Sequence, residues 1–221
     1  HRQMGDLYLR FGFVQQAKRC WMAAAEIAVE SNSEVLGEIN RILANLSMLY
    51  DEHQSAEFLL LQSTQSSRSS ARWLLTNAHL SGVRQNWNEA ERLINEAERV
   101  NPTDPELTAT RLVMRALVAG DREQWQRLTP LLTRAQERYY LTGDMIGVAT
   151  CYRIFGWLSI AQRREQDAWQ NYMRALKLFL QQSYTLGVEQ TLTEVMKLLT
   201  EERDRTRVNA WITSLAQWHS N

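Results

Sequence analysis

From Asn86 to Val100 the chain sets Ala90, Leu93, Ile94 and Ala97 at spacings of three and four, an apolar stripe on one face of a helix. Glu89, Glu91, Arg92 and Glu96 fall mostly off that stripe. "NPTDP" then supplies a stop and a restart. Asn101 can end a helix, Pro102 cannot continue one, and Asp104 suits an N-cap with Pro105 in the first helical position. Leu107 to Val118 carries the next stripe, closed by Gly120. Read in this way, the pattern predicts about twelve helices joined by short polar turns, over residues 1–11, 14–30, 33–51, 54–66, 69–84, 87–100, 105–119, 121–139, 144–162, 165–182, 185–202 and 204–219. No alternating β-branched runs argue for strands. The polar patch Ser63–Ser70 reads as a turn between helices, and no long linker divides the chain, so residues 1–221 are expected to form one domain.

A second pattern lies over the first. Ala17, Trp21 and Ala24, then Ala90, Ile94 and Ala97, then Ala168, Tyr172 and Ala175 each place a large apolar residue four positions, and an alanine seven positions, after a first alanine. Gly5 precedes Ala17 by twelve residues, as Gly156 precedes Ala168. The first alanines are 73 and 78 residues apart, and each gap divides into two units of roughly 36 to 39, within the periods of helical solenoids. The chain thus resembles a tetratricopeptide repeat protein. The resemblance implies an all-α, right-handed superhelix of about six antiparallel helix pairs, an α-solenoid. Small residues would sit where backbones approach closest.

Other units depart from that pattern. Ala56 and Ser63 take the small positions of one. In "GDREQWQRLTPLLTRAQERYY" the first alanine is missing, and Pro130 inside the expected helix predicts a kink or a break. The unit from Ser183 onward fits loosely, as a polar-faced cap would. Gly37, Gly147 and Gly187 recur in "VLGE", "MIGV" and "TLGV", the last two 40 residues apart, and these longer units resemble repeats of bacterial signalling proteins and transcription regulators.

Charge and composition narrow the function. The 25 Lys+Arg balance 25 Asp+Glu, which disfavours direct nucleic-acid binding. No apolar run approaches the ~18 residues that span a bilayer, so membrane insertion is not expected and a cytoplasmic setting is. Cys20 and Cys151 lie far apart inside predicted helices and read as packed thiols. His1, His53, His79 and His219 hold no metal-ligand spacing, and no phosphate loop or nucleophile elbow occurs, so neither a cofactor nor catalysis is expected.

The family resemblance implies a concave groove lined by the first helix of each pair. Carried onto this sequence, its register points to Asp6 and Arg10, Met48 and Glu52, His79, Met114, and Arg153 with Trp157. Arg153 one turn before Trp157 would give a cation–aromatic surface; a spacer between adjacent first helices is the competing role for Trp157. The expected function is a non-catalytic module for protein–protein interaction, holding a protein or peptide partner in that groove for regulation or assembly. The alternative is an effector-sensing or autoregulatory region whose partner is a domain of the same polypeptide. A chain that opens in mid-pattern on His1 suits the alternative.

Overall fold

The computed structural model describes residues 2–10, 13–31, 33–50, 52–63 and 68–198. Among them it is all-α, with eleven helices and no strand. They are α1 (Arg2–Arg10), α2 (Val14–Ser31), α3 (Ser33–Leu49), α4 (His53–Leu61), α5 (Ala71–Val83) and α6 (Trp87–Val100), followed by α7 (Pro105–Asp121), α8 (Trp125–Thr142), α9 (Met145–Ala161), α10 (Glu165–Gln181) and α11 (Thr185–Leu198). The expected helix over 204–219 and part of the Ser63–Ser70 turn lie outside the described residues.

Local chemistry sets the helix ends. Asp104 caps α7 as its sequence suggests, its Oδ1 accepting from Leu107 N–H at 3.0 Å with Pro105 next in the chain. Ser70 caps α5 and Asp144 caps α9 through bonds from Trp73 and Gly147 N–H. Five turns, between α5 and α6 and at every junction from α7 to α11, close alike. In each an N–H bonds back five residues, as Asn86 does to Ser81, Gln124 to Ala119, Asp144 to Tyr139, Arg164 to Ser159 and Tyr184 to Phe179. The motif needs a left-handed residue. Gly143 supplies it once, whereas Gln85, Glu123, Arg163 and Ser183 adopt φ of 53–60° despite their side chains.

Helices pack chiefly as consecutive hairpins: α1 with α2, α3 with α4, α5 with α6, α7 with α8, and α9 with α10. First helices also meet one another, α3 with α5, α5 with α7, and α9 with α11, while no comparable contact joins the second helices α2, α4, α6, α8 and α10. The first helices therefore make one layer and the second helices lie outside it. α1 also touches α11, so the row curls until its first helix meets the last described one.

The small–large–small series explains this packing. Its positions are buried in every hairpin: Ala17 and Trp21, then Ala56, Leu60 and, just past the end of α4, Ser63, then Ala90, Ile94 and Ala97, Leu128, Leu132 and Ala135, and Ala168, Tyr172 and Ala175, none of them more than 4 % exposed. Leu128 replaces the alanine missing from the fourth unit. Its bulk is taken up across the hairpin, where a methyl on Gly120 would lie 2.7 Å from Leu128 Cδ1. At Gly156 the partner is an aromatic ring: a methyl there would be 2.5 Å from Tyr172 Cε1. A large residue on one helix thus presses on a glycine of the other.

Pro130 does not break its helix. α8 runs unbroken from Trp125 to Thr142 through it. Leu128, Leu132 and Ala135, all fully buried, hold both sides of the proline to the core, and this outweighs the one intrahelical bond that its missing N–H forfeits.

Candidate interaction surface

Three first helices present side chains at matching heights. α3 brings Arg41, Asn45 and Met48; α5 brings Arg72, Thr76 and His79; α7 brings Glu106, Thr110 and Met114. Spacings of three and four keep each trio on one helix face. All but Met48 line one cavity of about 170 Å³, which His79 and Met114 join to a second of about 460 Å³ walled by Gly82, Trp87, Ile94 and Leu117. The charged members are paired. Arg41 grips Glu38 through two bonds of 2.7 and 2.8 Å, and Arg72 reaches Glu106 at 3.4 Å. Burial pushes the Glu38 carboxyl up, but the bonds and charge of Arg41, with the charges of Arg2 and Arg72, bring it below its ordinary value. Burial foremost, then the charges of His53 and Arg153, holds His79 below the usual histidine value and favours its neutral form. What remains for a visitor is neutral and polar: the Asn45 amide and the His79 imidazole beside Met114, while Thr76 and Thr110 already donate to the Arg72 and Glu106 carbonyls.

The residues singled out from sequence go to different places. His79 and Met114 meet in the shared cavities. Met48, 5 % exposed, packs instead with Ala44, Ala56, Leu60 and Leu80 and lines neither cavity. Asp6 Oδ1 accepts from Trp21 Nε1–H at 3.2 Å, tying α1 to α2. Glu52 is exposed before α4 with Lys18 3.8 Å away, and Arg10 closes α1 with its side chain outside the described residues. Arg153 and Trp157 engage different helices. Arg153 Nη1 bonds Glu194 on α11 at 2.8 Å, whereas the Trp157 ring lies over Gly120 and edge-on to Trp125 at 6.0 Å. Trp157 thereby fills the space between successive hairpins, the competing role.

Asn45, Thr76 and Thr110 were missed by the sequence reading although they sit one turn before Met48, His79 and Met114. The same register would have found them. Arg111 carried no sequence signal at all. It is 1 % exposed and donates to the carbonyls of Asn101 at 2.7 Å and Pro102 at 3.3 Å and to Thr108 Oγ1 at 2.7 Å, pinning the "NPTDP" turn from beneath. Cys151 is fully buried, and burial pushes its thiol up to about 12, far from a reactive thiolate. Among the described residues no group of three or more His, Cys, Asp or Glu comes together to hold a metal ion, and no helix is long and apolar enough to cross a membrane.

No family model matches the chain, and no curated protein matches it. Among solved structures, it is similar to BtubC (BKLC) from P. vanneervenii. The two superpose with a TM-score of 0.51 and 16 % identity, over 86 % of this chain and 89 % of that one. At that identity the likeness is one of helical fold.

Proposed function

We propose that the chain is a right-handed superhelical array of the tetratricopeptide kind, a non-catalytic module that holds a protein or peptide segment against its layer of first helices. The observation that carries this reading is the convergence of Asn45, His79 and Met114, from three successive units, on connected cavities. Repetition of one structural unit makes such convergence recur, and an extended chain has the same kind of periodicity to offer. Two further features support the array: the small–large–small series on the second helices α2, α6 and α10, and the contact of α1 with α11 that a winding row produces.

The cavity polarity describes the segment. Amide and neutral imidazole groups suit a peptide backbone, and Met114 suits one apolar side chain, with formal charge contributing little. The test is capture of partners from source lysate by wild type and by an Asn45→Ala/His79→Ala double variant matched in helicity, followed by calorimetric titration of the captured segment. A tenfold or greater loss of affinity in the variant is expected. Equal affinity would move the partner off the first helices and end this reading.

A further inference from the structure

A second groove is on the other side of the first-helix layer. It measures about 750 Å³ and runs between the second helices α8 and α10, which do not pack on one another. Its floor is the first part of α9, where Met145, Val148 and Tyr152 recur at spacings of three and four. α8 raises one wall with Tyr140 and Leu141, and these are 69 % and 76 % exposed, an adjacent pair of large apolar side chains left in solvent. α10 raises the other with Arg174, Lys177, Leu178 and Gln181. At 1.5 Å per residue the stretch from Arg174 to Gln181 is about 10 Å long, two turns of an α-helix. None of the residues already assigned to the inner cavities takes part.

Charge identifies the occupant. Although the chain is neutral overall, the lining of this groove carries a cationic excess. Of the charged residues that line the groove, Arg174 and Lys177 on one wall outnumber the single lining carboxylate, Glu137 on the other. Among the described residues neither Arg174 nor Lys177 closes on a carboxylate, whereas on neighbouring units Arg84, Arg92, Arg115 and Arg122 each do. Arg174 lies over the Tyr152 ring, 5.7 Å from its centroid, and so stays beside the apolar floor. We infer that this outer groove docks an amphipathic helix of a partner protein whose apolar stripe is flanked by Asp and Glu. Its apolar side chains enter between Leu141 and Leu178, and its carboxylates meet Arg174 and Lys177. A helix fits because the groove is itself a gap between two helices over a third, the place where a further helix packs ridge into groove. A flat bilayer would touch Tyr140 and Leu141 but not the recessed Val148, which is 4 % exposed. A second copy would have to offer an acidic apolar face. α6 is the most acidic helix, and its Glu89, Glu96 and Glu98 are already held by Arg92 and Arg115.

The test uses a fluorescein-labelled 18-residue designed helix with leucines at i, i+3, i+4 and i+7 and glutamates beside them, and a twin with lysines for glutamates. Anisotropy titrations compare the wild-type chain with Leu141→Asp and with Arg174→Glu/Lys177→Glu. All three substituted side chains are exposed, and circular dichroism checks that helicity is unchanged. The glutamate peptide is expected to bind wild type at least tenfold more tightly than the lysine twin. Leu141→Asp should weaken it at least tenfold, and the double charge reversal should invert the preference between peptides. Equal binding of both peptides by wild type, or binding unaffected by either variant, overturns the proposal. So does the alternative pattern of no peptide binding with co-sedimentation on phosphatidylcholine/phosphatidylglycerol vesicles that Leu141→Asp removes, which assigns the groove to a membrane. A dimer in light scattering that Leu141→Asp dissociates overturns it in favour of a second copy.

Discussion

A single methyl group on Gly156 tests the packing rule of this fold. In a helix interior alanine is favoured over glycine by about 1 kcal/mol, so Gly156→Ala on an isolated helix would stabilise. Here the added carbon would stand 2.5, 2.6 and 2.8 Å from Cε1, Cδ1 and Cζ of Tyr172, a ring that is itself 2 % exposed. Ordinary carbon contacts lie near 3.5–4.0 Å, so the ring or the α9–α10 separation must shift by about 1 Å. Overpacking a dense core in this way costs about 1–3 kcal/mol. The clash wins over the propensity gain, and the net change is about 1 kcal/mol of destabilisation, lowering Tm by about 2–4 °C for a chain of this size. The assay is thermal unfolding followed by circular dichroism, with Gly156→Ala, Tyr172→Leu and the double variant forming a cycle. Removing the ring should let the alanine express its helical preference, so the two changes couple with a favourable sign. If Gly156→Ala alone raised Tm, the ring would not be seated on the glycine, and the argument from close approach would fall.

Three further outcomes follow from individual side chains. Arg111→Met leaves the Asn101 and Pro102 carbonyls without their cationic donor; at about 1.5–3 kcal/mol for a charged hydrogen bond, less the desolvation that methionine avoids, it should destabilise by about 2–3 kcal/mol and speed hydrogen exchange at the Thr103, Asp104 and Leu107 amides. Cys151, fully buried with its thiol pushed up to about 12, should resist a thiol reagent at pH 8 in the native protein and react once urea unfolds it; native-state labelling would contradict the buried assignment. Glu38, held below its ordinary value of 4.5, binds its proton less readily folded than unfolded, so its contribution is full above that value and fades as pH falls through the lowered one. Chemical denaturation from pH 6 to 3 should show this loss, and Glu38→Gln should flatten it; an unchanged slope would mean the Arg41 pair contributes nothing.

Much of the fold is written in local pattern. Helix bounds from α6 to α7 follow from Asn101, Pro102, Asp104 and Pro105, because caps and proline act on the backbone within a few residues. The alternation of first and second helices is likewise legible, since alanine at Ala90, Ala97, Ala168 and Ala175 reports how closely two backbones must pass. Where a turn has no such marker the sequence is silent. Glu123 and Arg163 adopt left-handed backbone because the helices on either side are fixed by their own cores, and nothing in a glutamate or arginine announces that.

What a side chain meets across units is another matter. Sequence alone placed His79 and Met114 at equivalent heights on α5 and α7, and helical periodicity suffices for that. It could not say that Met48, of the same register, would be drawn into the core by Ala44, Ala56 and Leu80. Nor could it tell that Arg153 and Trp157, adjacent on one face, would engage Glu194 two helices on and Gly120 two helices back. The outer groove exists because α8 and α10 both pack on α9 but not on each other, a fact about three helices that no stretch of one contains. Periodicity determines which face of a helix is buried, because that needs only the 3.6-residue turn. Which residue faces it depends on the separation and angle of whole helices, set by the sum of all their contacts, and only the tertiary structure decides that.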